Sequence, residues 1–174
     1  MNGLTRYALA AVMSMGIAVG LSQLSKSEFR PESVAVSGKE DDSRLLTAST
    51  LVDRMAELPF YLPLRHVAWE NGMLSVDFKA PAAVDVAAVY SDVYRSIRFG
   101  LAKTANVEEV RVRVYGKAAG SSEALPLLMS ADARREDGIR FGREELPEAD
   151  QVKRFLETRC RLTETERWRG MLGH

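Results

Sequence analysis

The sequence predicts an α+β domain in which helices cover one face of a small sheet of three to five strands. Residues 64–115 carry this prediction, because a hairpin pattern, an amphipathic helix pattern and an alternating strand pattern follow one another there. With a helix pattern before the hairpin, they form an α-β-β-α-β module. We therefore divide the chain into five parts: a short N-terminal tail (1–6), a transmembrane anchor or signal peptide (7–25), a flexible linker (26–44), the α/β domain (45–142) and a C-terminal helical extension (143–174).

The hairpin is predicted by Asn71 and Gly72, which tolerate the positive φ angles of a two-residue type I′ turn. Such a turn places Glu70 opposite Met73 and fixes the register of both strands. One face then holds the pairs Trp69–Leu74, Val67–Val76 and Arg65–Phe78, and the other holds Ala68–Ser75 and His66–Asp77. We expect the first face to join the core and the second to meet solvent.

Two helices and a third strand complete the module. The first helix is expected at 49–58, with a capping box of Thr50 and Asp53 and one apolar face formed by Leu51, Val52, Met55 and Leu58. The second is expected at 83–103, with an apolar stripe of Val86, Tyr90, Val93, Ile97 and Leu101, while Asp92, Arg95, Arg98 and Lys103 lie off that stripe. In the strand that follows, Val110, Val112 and Val114 point toward the core, and Arg111, Arg113 and Tyr115 point away.

Beyond residue 124 the pattern is weaker. Residues 125–130 fit a strand, and Pro126 restricts that strand to an edge of the sheet or has to lie at the start of the strand. A turn at Asp137-Gly138 is expected to lead the chain back along residues 139–142. From Pro147 the chain is expected to be helical, with a break near 162, a cap at Thr163 and a last short helix carrying Trp168. This amphipathic tail either packs on its own domain, which we favour, or docks on a partner or an anionic membrane surface.

Composition excludes several classes of function. Lys and Arg together equal Asp and Glu, so the formal net charge is zero and no concentrated basic surface for nucleic acid is expected. Cys160 is the single cysteine, and His66 and His174 are the two histidines. Because clustered His and Cys ligands are missing from the sequence, we predict no metal and no cofactor.

The N-terminal segment is expected to meet a membrane. Residues 7–25 carry no charge, and as a helix they measure roughly 28 Å, close to the ~30 Å hydrocarbon core of a bilayer. We favour a retained anchor over a signal peptide cleaved near Gly20, since the apolar run continues to Leu24. The C-terminal domain is then expected outside the cytoplasm, on a polar linker, or secreted if cleavage occurs.

Few residues suggest chemistry. His66 opposite Asp77 fits a general base with an orienting carboxylate, but we favour a surface ion pair because no motif supplies a nucleophile. Arg111 and Arg113 fit recognition of an acidic partner, although alternating charges on an open strand face are more often solvated. Nothing in the sequence activates Cys160, which we interpret as a half-buried residue of a helix face.

Two stretches resemble a known family. The GerM-type germination and sporulation domain resembles this chain in two sequence segments, Asn71–Phe78 (NGMLSVDF) and Val107–Gly116 (VEEVRVRVYG). The order α-β-β-α-β is similar to the ring-building motif of bacterial secretion and sporulation machines. The resemblance covers roughly residues 45–116 and implies a non-catalytic extracytoplasmic domain that assembles with other proteins. The chain departs from the family in lacking a lipoprotein cysteine and in its different C-terminal tail.

The sequence thus favours a membrane-anchored interaction module whose partners are other envelope proteins or copies of itself. The predicted interaction surface consists of His66, Ser75, Asp77, Arg111, Arg113 and Tyr115. The alternative is a small-ligand or signal-sensing domain with a pocket between the open sheet face and the tail. A hydrolase that uses His66 and Asp77 ranks third.

Overall fold

The computed structural model describes residues 44–83, 85–117, 124–142 and 147–172, all within the compact unit Gly38–His174. The predicted α+β class is confirmed, with the largest predicted number of strands, five. The elements are α1 (Ala48–Ala56), β1 (Leu64–Glu70), β2 (Met73–Lys79), α2 (Val86–Arg98), a π-helical turn (Phe99–Lys103), β3 (Glu109–Tyr115), β4 (Leu127–Arg134), a 3-10 turn (Arg135–Asp137), α3 (Ala149–Arg159), β5 (Arg161–Glu164) and α4 (Glu166–Met171).

The five strands form one mixed sheet in the order β1-β2-β3-β4-β5. The pairs β1–β2, β3–β4 and β4–β5 are antiparallel, whereas β2 and β3 are parallel. Parallel neighbours need a crossover connection, and α2 with its π-helical turn supplies it. The crossover helix therefore lies over the centre of the sheet.

The hairpin register is confirmed from Glu70–Met73 to His66–Asp77, and Asn71 and Gly72 have φ angles of 50° and 79°. The predicted pair Arg65–Phe78 is wrong. An irregularity between Leu64 and His66 makes Leu64 the partner of Phe78. This bulge turns Arg65 to the open face, where it reaches Asp77.

One face of the sheet is buried as predicted. Alternate residues of β2 and β3 on this face are completely buried: Leu74, Val76, Phe78, Val110, Val112 and Val114. Gly100 of the π-helical turn lies on them so closely that a Cβ there would be 2.3 Å from Cγ2 of Val110. The helices thus pack on the valine face, and no helix of the described residues covers the opposite face.

The ends and faces of the helices differ from the predictions. The cap of α1 is Thr47, and Thr50 occupies the N3 position of its capping box. Val52 is 66% exposed, so its place on the apolar face was predicted wrongly. In α2, Asp92 lies off the apolar stripe but is completely buried, because the segment before β1 packs over it.

The predicted strand after Pro126 is confirmed as β4, but residues 139–142 do not return along it. The 3-10 turn and Gly138, with a φ of 63°, lead the chain away instead. The break near 162 is itself a strand, β5, whose alternating exposure suits pairing with the outer edge of β4. The following cap is Thr165, not Thr163, and it leads into α4, which buries Trp168. The tail therefore packs on its own domain.

Arg135 closes the end of the π-helical turn. Its guanidinium donates hydrogen bonds to the carbonyls of Leu101 (2.9 Å), Thr104 (3.0 Å) and Val107 (2.7 Å). The carbonyl of Leu101 lies within the π-helical turn, and those of Thr104 and Val107 lie beyond it, so Arg135 supplies donors at the C-terminal end of the helix, where carbonyls lack helical donors. Replacing Arg135 by alanine is expected to lower the free energy of unfolding by about 2–3 kcal/mol, since a charged donor is lost and partly buried acceptors stay unpaired.

Urea unfolding of the full chain measures this change. Arg134→Ala is the matched control, because Arg134 is exposed and pairs with Glu109 and Glu136 at the surface. We expect little change for that variant. Equal losses from both variants would contradict the capping role of Arg135.

Candidate interaction surface

The open face of the sheet is built by the residues that alternate with the buried valines. All six residues predicted for the interaction surface belong to strands that form it: His66 of β1, Ser75 and Asp77 of β2, and Arg111, Arg113 and Tyr115 of β3. The parallel register places Ser75 beside Arg111 and Asp77 beside Arg113. The sheet thereby brings these residues together on one surface.

Asp77 is the centre of the first charge cluster on this face. Although it lies on the open side, it is only 2% exposed, because two arginines cover it. Arg113 donates from Nε to Oδ1 (2.7 Å) and from Nη2 to Oδ2 (3.1 Å), which is a bidentate pair. Arg65 reaches Oδ2 at 3.5 Å. Both guanidiniums also lie near the ring of Tyr115, at 5.1 Å for Arg65 and 5.9 Å for Arg113.

His66 does not take part in this cluster. It is the register partner of Asp77, yet within the described part of the chain it makes no hydrogen bond or ion pair with that carboxylate. The ion pair predicted between His66 and Asp77 is therefore not formed, and Arg113 and Arg65 take its place. The cause is the bulge, which was not predicted, together with the parallel β3 strand. A base oriented by its carboxylate, as a hydrolase would need, is not assembled by these two residues.

A second charge cluster lies next to the first and contains Arg111. Its Nε donates to Asp132 of β4 at 2.7 Å, and its Nη2 donates to Glu109 at 3.2 Å. Arg134 donates to the other oxygen of Glu109 at 3.1 Å. The hydrogen bond and the negative charge of Asp132 raise the pKa of Arg111, which stays fully charged.

Asp132 and Arg134 were not predicted as surface residues. Ser130, Asp132 and Arg134 alternate along β4 with a period of two, which indicates that they share one face of the strand. The pairing of β4 with β3 is needed to identify that face as the open face of the sheet. With them included, positive and negative groups alternate across the open face.

This arrangement changes the interpretation of Arg111 and Arg113. Their positive charges are already paired within the domain, because each guanidinium binds a carboxylate. Their side chains nevertheless remain 42% and 36% exposed. Held in place by their partners, they present ordered hydrogen-bond donors to whatever meets the face, which reduces the entropy lost on binding.

Asp92 is a buried carboxylate that the sequence did not single out. It accepts hydrogen bonds from the backbone N–H groups of Tyr61 (2.8 Å) and Leu62 (2.7 Å), and Arg95 lies 3.0 Å away. Burial raises the pKa of Asp92, while these three donors oppose the shift. Its oxygens are thus occupied in fastening the segment before β1 to α2, which is a structural task.

Cys160 ends α3 and is half-buried. Burial, with a smaller contribution from the carboxylate of Asp137, raises the pKa of its thiol to about 12. Because the thiolate is the nucleophile, this thiol is unreactive at neutral pH. Its environment agrees with a packing role on the helix face.

In the described part of the chain, the tail meets the open face through Arg161 of β5, one of the residues that line the cavity found there. It extends the sheet through β5 and packs α4 beside α2, where the ring of Trp168 contacts that of Tyr90 at 6.0 Å. Cavities of about 410 and 300 Å³ lie beside α2, on the helix side of the sheet. On the open face, charged side chains line a small cavity of about 140 Å³. Among the described residues, no group of three or more His, Cys, Asp or Glu side chains is placed to hold a metal ion.

No family model, curated protein or solved structure matches this chain. In the ranges that the structure describes, no helix is long and apolar enough to cross a bilayer. The predicted anchor at 7–25 lies outside those ranges, as do residues 1–6 and the linker up to residue 43.

Proposed function

We propose that this protein is a membrane-anchored, non-catalytic extracytoplasmic module that binds another envelope protein, or a second copy of itself, through the open face of its sheet. The observation that carries the proposal is the contrast between the two faces. One is sealed by helices, and the other carries two ordered charge clusters around Asp77 and Arg111 that remain accessible to solvent. Interfaces are enriched in arginine and aromatic residues, as around Tyr115.

The membrane part of the proposal rests on residues 7–25 and on the linker. A flexible chain over residues 26–44 has a root-mean-square reach of roughly 25 Å, so the domain would remain near the bilayer. The side-chain amide of Asn106 binds the N–H and C=O of Leu46, both at 2.8 Å, and thus fixes the point where the chain enters the domain. Secretion after cleavage near Gly20 is the alternative. The location of the domain can be tested with a reporter that is active only outside the cytoplasm, fused after residue 45. Activity is expected if the domain lies outside the cytoplasm, and an inactive reporter would place the domain inside.

The assembly role draws support from two sources. The segments NGMLSVDF and VEEVRVRVYG resemble the GerM-type domain, and α1, β1, β2, α2 and β3 follow the order α-β-β-α-β, with the π-helical turn continuing α2. A place in an envelope complex of the sporulation or secretion type is therefore the role we propose. A non-catalytic role is favoured because the carboxylate of Asp77 is bound by arginines and the thiol of Cys160 stays protonated.

A blocking substitution on the open face tests this role. Ser75→Tyr places a ring between the two charge clusters, on the side of β2 that faces away from the core. On native gels of gently solubilised membranes, we expect the native protein to migrate in a large complex and the variant to fold normally but to migrate outside that complex. Val52→Tyr, on the exposed face of α1, is the matched control and should stay in the complex. If both variants remain assembled, the open face is not the interface.

A further inference from the structure

β1 forms one edge of the five-stranded sheet, and β5 forms the other. The edge of a sheet can pair with a further strand, and proteins usually limit such pairing with short strands, proline or bulges. β5 is limited in this way, because it has only four residues. β1 has seven residues, and its bulge lies at the start, between Leu64 and His66. The stretch His66–Glu70 is therefore a regular edge that a further strand could join.

The hydrogen-bond pattern of the hairpin shows which backbone groups of this stretch point away from the sheet. Glu70 and its partner flank a two-residue turn and exchange both hydrogen bonds, and this bonding recurs at every second pair. His66 and Ala68 thus bond to β2, whereas the N–H and C=O groups of Val67 and Trp69 point outward. Within the described ranges, no backbone or side-chain group binds those of Val67 and Trp69.

The stretch is complementary to itself in one antiparallel register. When two copies of β1 pair around a two-fold axis at Ala68, Val67 of each copy lies opposite Trp69 of the other. The outward-facing residues of both copies can then exchange hydrogen bonds. On the open face, His66 of each copy lies opposite Glu70 of the other, with the two small Ala68 side chains between these pairs. An imidazole therefore meets a carboxylate twice, which is a favourable cross-strand pair.

The two neighbouring registers lack this complementarity. With the axis at Val67, Glu70 lies opposite Leu64 at the bulged end of the strand. With the axis at Trp69, His66 lies opposite Gly72 in the turn. Of these three registers, the one centred on Ala68 alone places opposite polar groups together.

We propose that two copies of this chain join edge to edge through β1, in the antiparallel register centred on Ala68, and form one continuous sheet. The two-fold axis is perpendicular to that sheet, so the helices of both copies lie on one side and both open faces lie on the other. Val67 and Trp69 are half-buried in the single chain, and they cover each other across the joint as a β-branched and an aromatic side chain. The pairing uses the edge of β1 and does not rest on the role proposed for the open face.

Oxidative crosslinking of introduced cysteines tests this pairing in the full chain, inside intact cells. Every variant also carries Cys160→Ala, so that the introduced thiol is the only one. In the proposed register the Cα atoms of the two Ala68 residues lie about 4.5 Å apart, within the range for a disulfide. Ala68→Cys should therefore give a disulfide-linked product of two chains. Glu70→Cys is the matched control and should give about tenfold less or lower, because its two copies lie about 14 Å apart.

A mixture of two variants tests the register itself. Copies with His66→Cys alone should give little product, since their thiols also lie about 14 Å apart. Copies with Glu70→Cys alone should behave in the same way. When both kinds are expressed together they should form a disulfide-linked pair, because His66 lies opposite Glu70 across the proposed joint.

A proline at the edge tests whether the backbone carries the pairing. Val67→Pro, added to Ala68→Cys, removes an outward N–H and leaves the hydrogen bonds to β2 in place. Two hydrogen bonds are lost per pair, one from each copy, so the yield should fall about tenfold or more. Val67→Ala is the matched control, because it shortens the side chain but keeps the N–H, and its yield should change little. An unchanged yield with Val67→Pro would contradict pairing through the backbone.

Three further results would overturn the proposal. The first is no linked product from Ala68→Cys in a folded protein whose introduced thiol reacts with a maleimide. The second is equal product from Ala68→Cys and Glu70→Cys, which would show random collision. The third is no product from the mixture of His66→Cys and Glu70→Cys copies, a result that does not depend on whether Val67→Pro folds.

Discussion

Replacing Asp92 by alanine is expected to lower the free energy of unfolding by about 3–5 kcal/mol, because it leaves one buried N–H group, one part-buried N–H group and a mostly buried arginine without their acceptor. The N–H groups are those of Tyr61 and Leu62, and the arginine is Arg95, whose side chain is 17% exposed. The loss should appear in urea unfolding as a lower midpoint. The segment before β1 should also exchange its amide hydrogens faster, since its link to α2 is gone.

Asp85→Ala is the matched control for this variant. Asp85 is an exposed aspartate at the start of the same helix, where it accepts a hydrogen bond from Ala87 N–H at 3.0 Å. Loss of such a cap costs about 1 kcal/mol. If Asp92→Ala were no more destabilising than Asp85→Ala, the buried carboxylate would not fasten the two segments as described.

Replacing Trp168 by alanine is expected to cost about 3–5 kcal/mol, the usual range for truncating a buried aromatic side chain. The side chain is completely buried, its ring contacts Tyr90 edge-on, and its Nε1 donates to the Tyr90 hydroxyl at 3.2 Å. Thermal unfolding of the full chain measures the change. A variant as stable as the native protein would show that the tail is dispensable to the fold.

The two tryptophans offer a finer comparison. The indole Nε1 of Trp69 is buried without a partner in the described part of the chain, whereas that of Trp168 is paired. Trp69→Phe should therefore change stability little or raise it, while Trp168→Phe should lower it. The opposite order would mean that the pairing of the indole nitrogen does not decide the result.

Local patterns predicted the central part of the fold. A two-residue turn fixes hairpin register, and alternation fixes which face is buried, so the pairs from Glu70–Met73 to His66–Asp77 and the buried face of β3 followed from the sequence. The predictions failed where a distant segment decides the outcome. The burial of Asp92 and the strand β5 each depend on partners far away in the sequence, and the bulge at Arg65 has no signal in the alternation of the hairpin.

The candidate surface shows the same division. Strand alternation placed all six predicted residues on the strands of one face, yet it could not assign their partners. Asp77 binds Arg113 across a parallel pair and Arg65 across a bulge, and neither contact has a local signal.

Photo-crosslinking in native membranes tests the central claim most directly. A photoreactive side chain at Ser75 lies on the open face, and the same group at Val52 lies on the exposed face of α1. The account predicts a discrete crosslinked product from Ser75, containing one envelope protein or a second copy of this chain, and none from Val52. A discrete product from Val52 with none from Ser75 would contradict it.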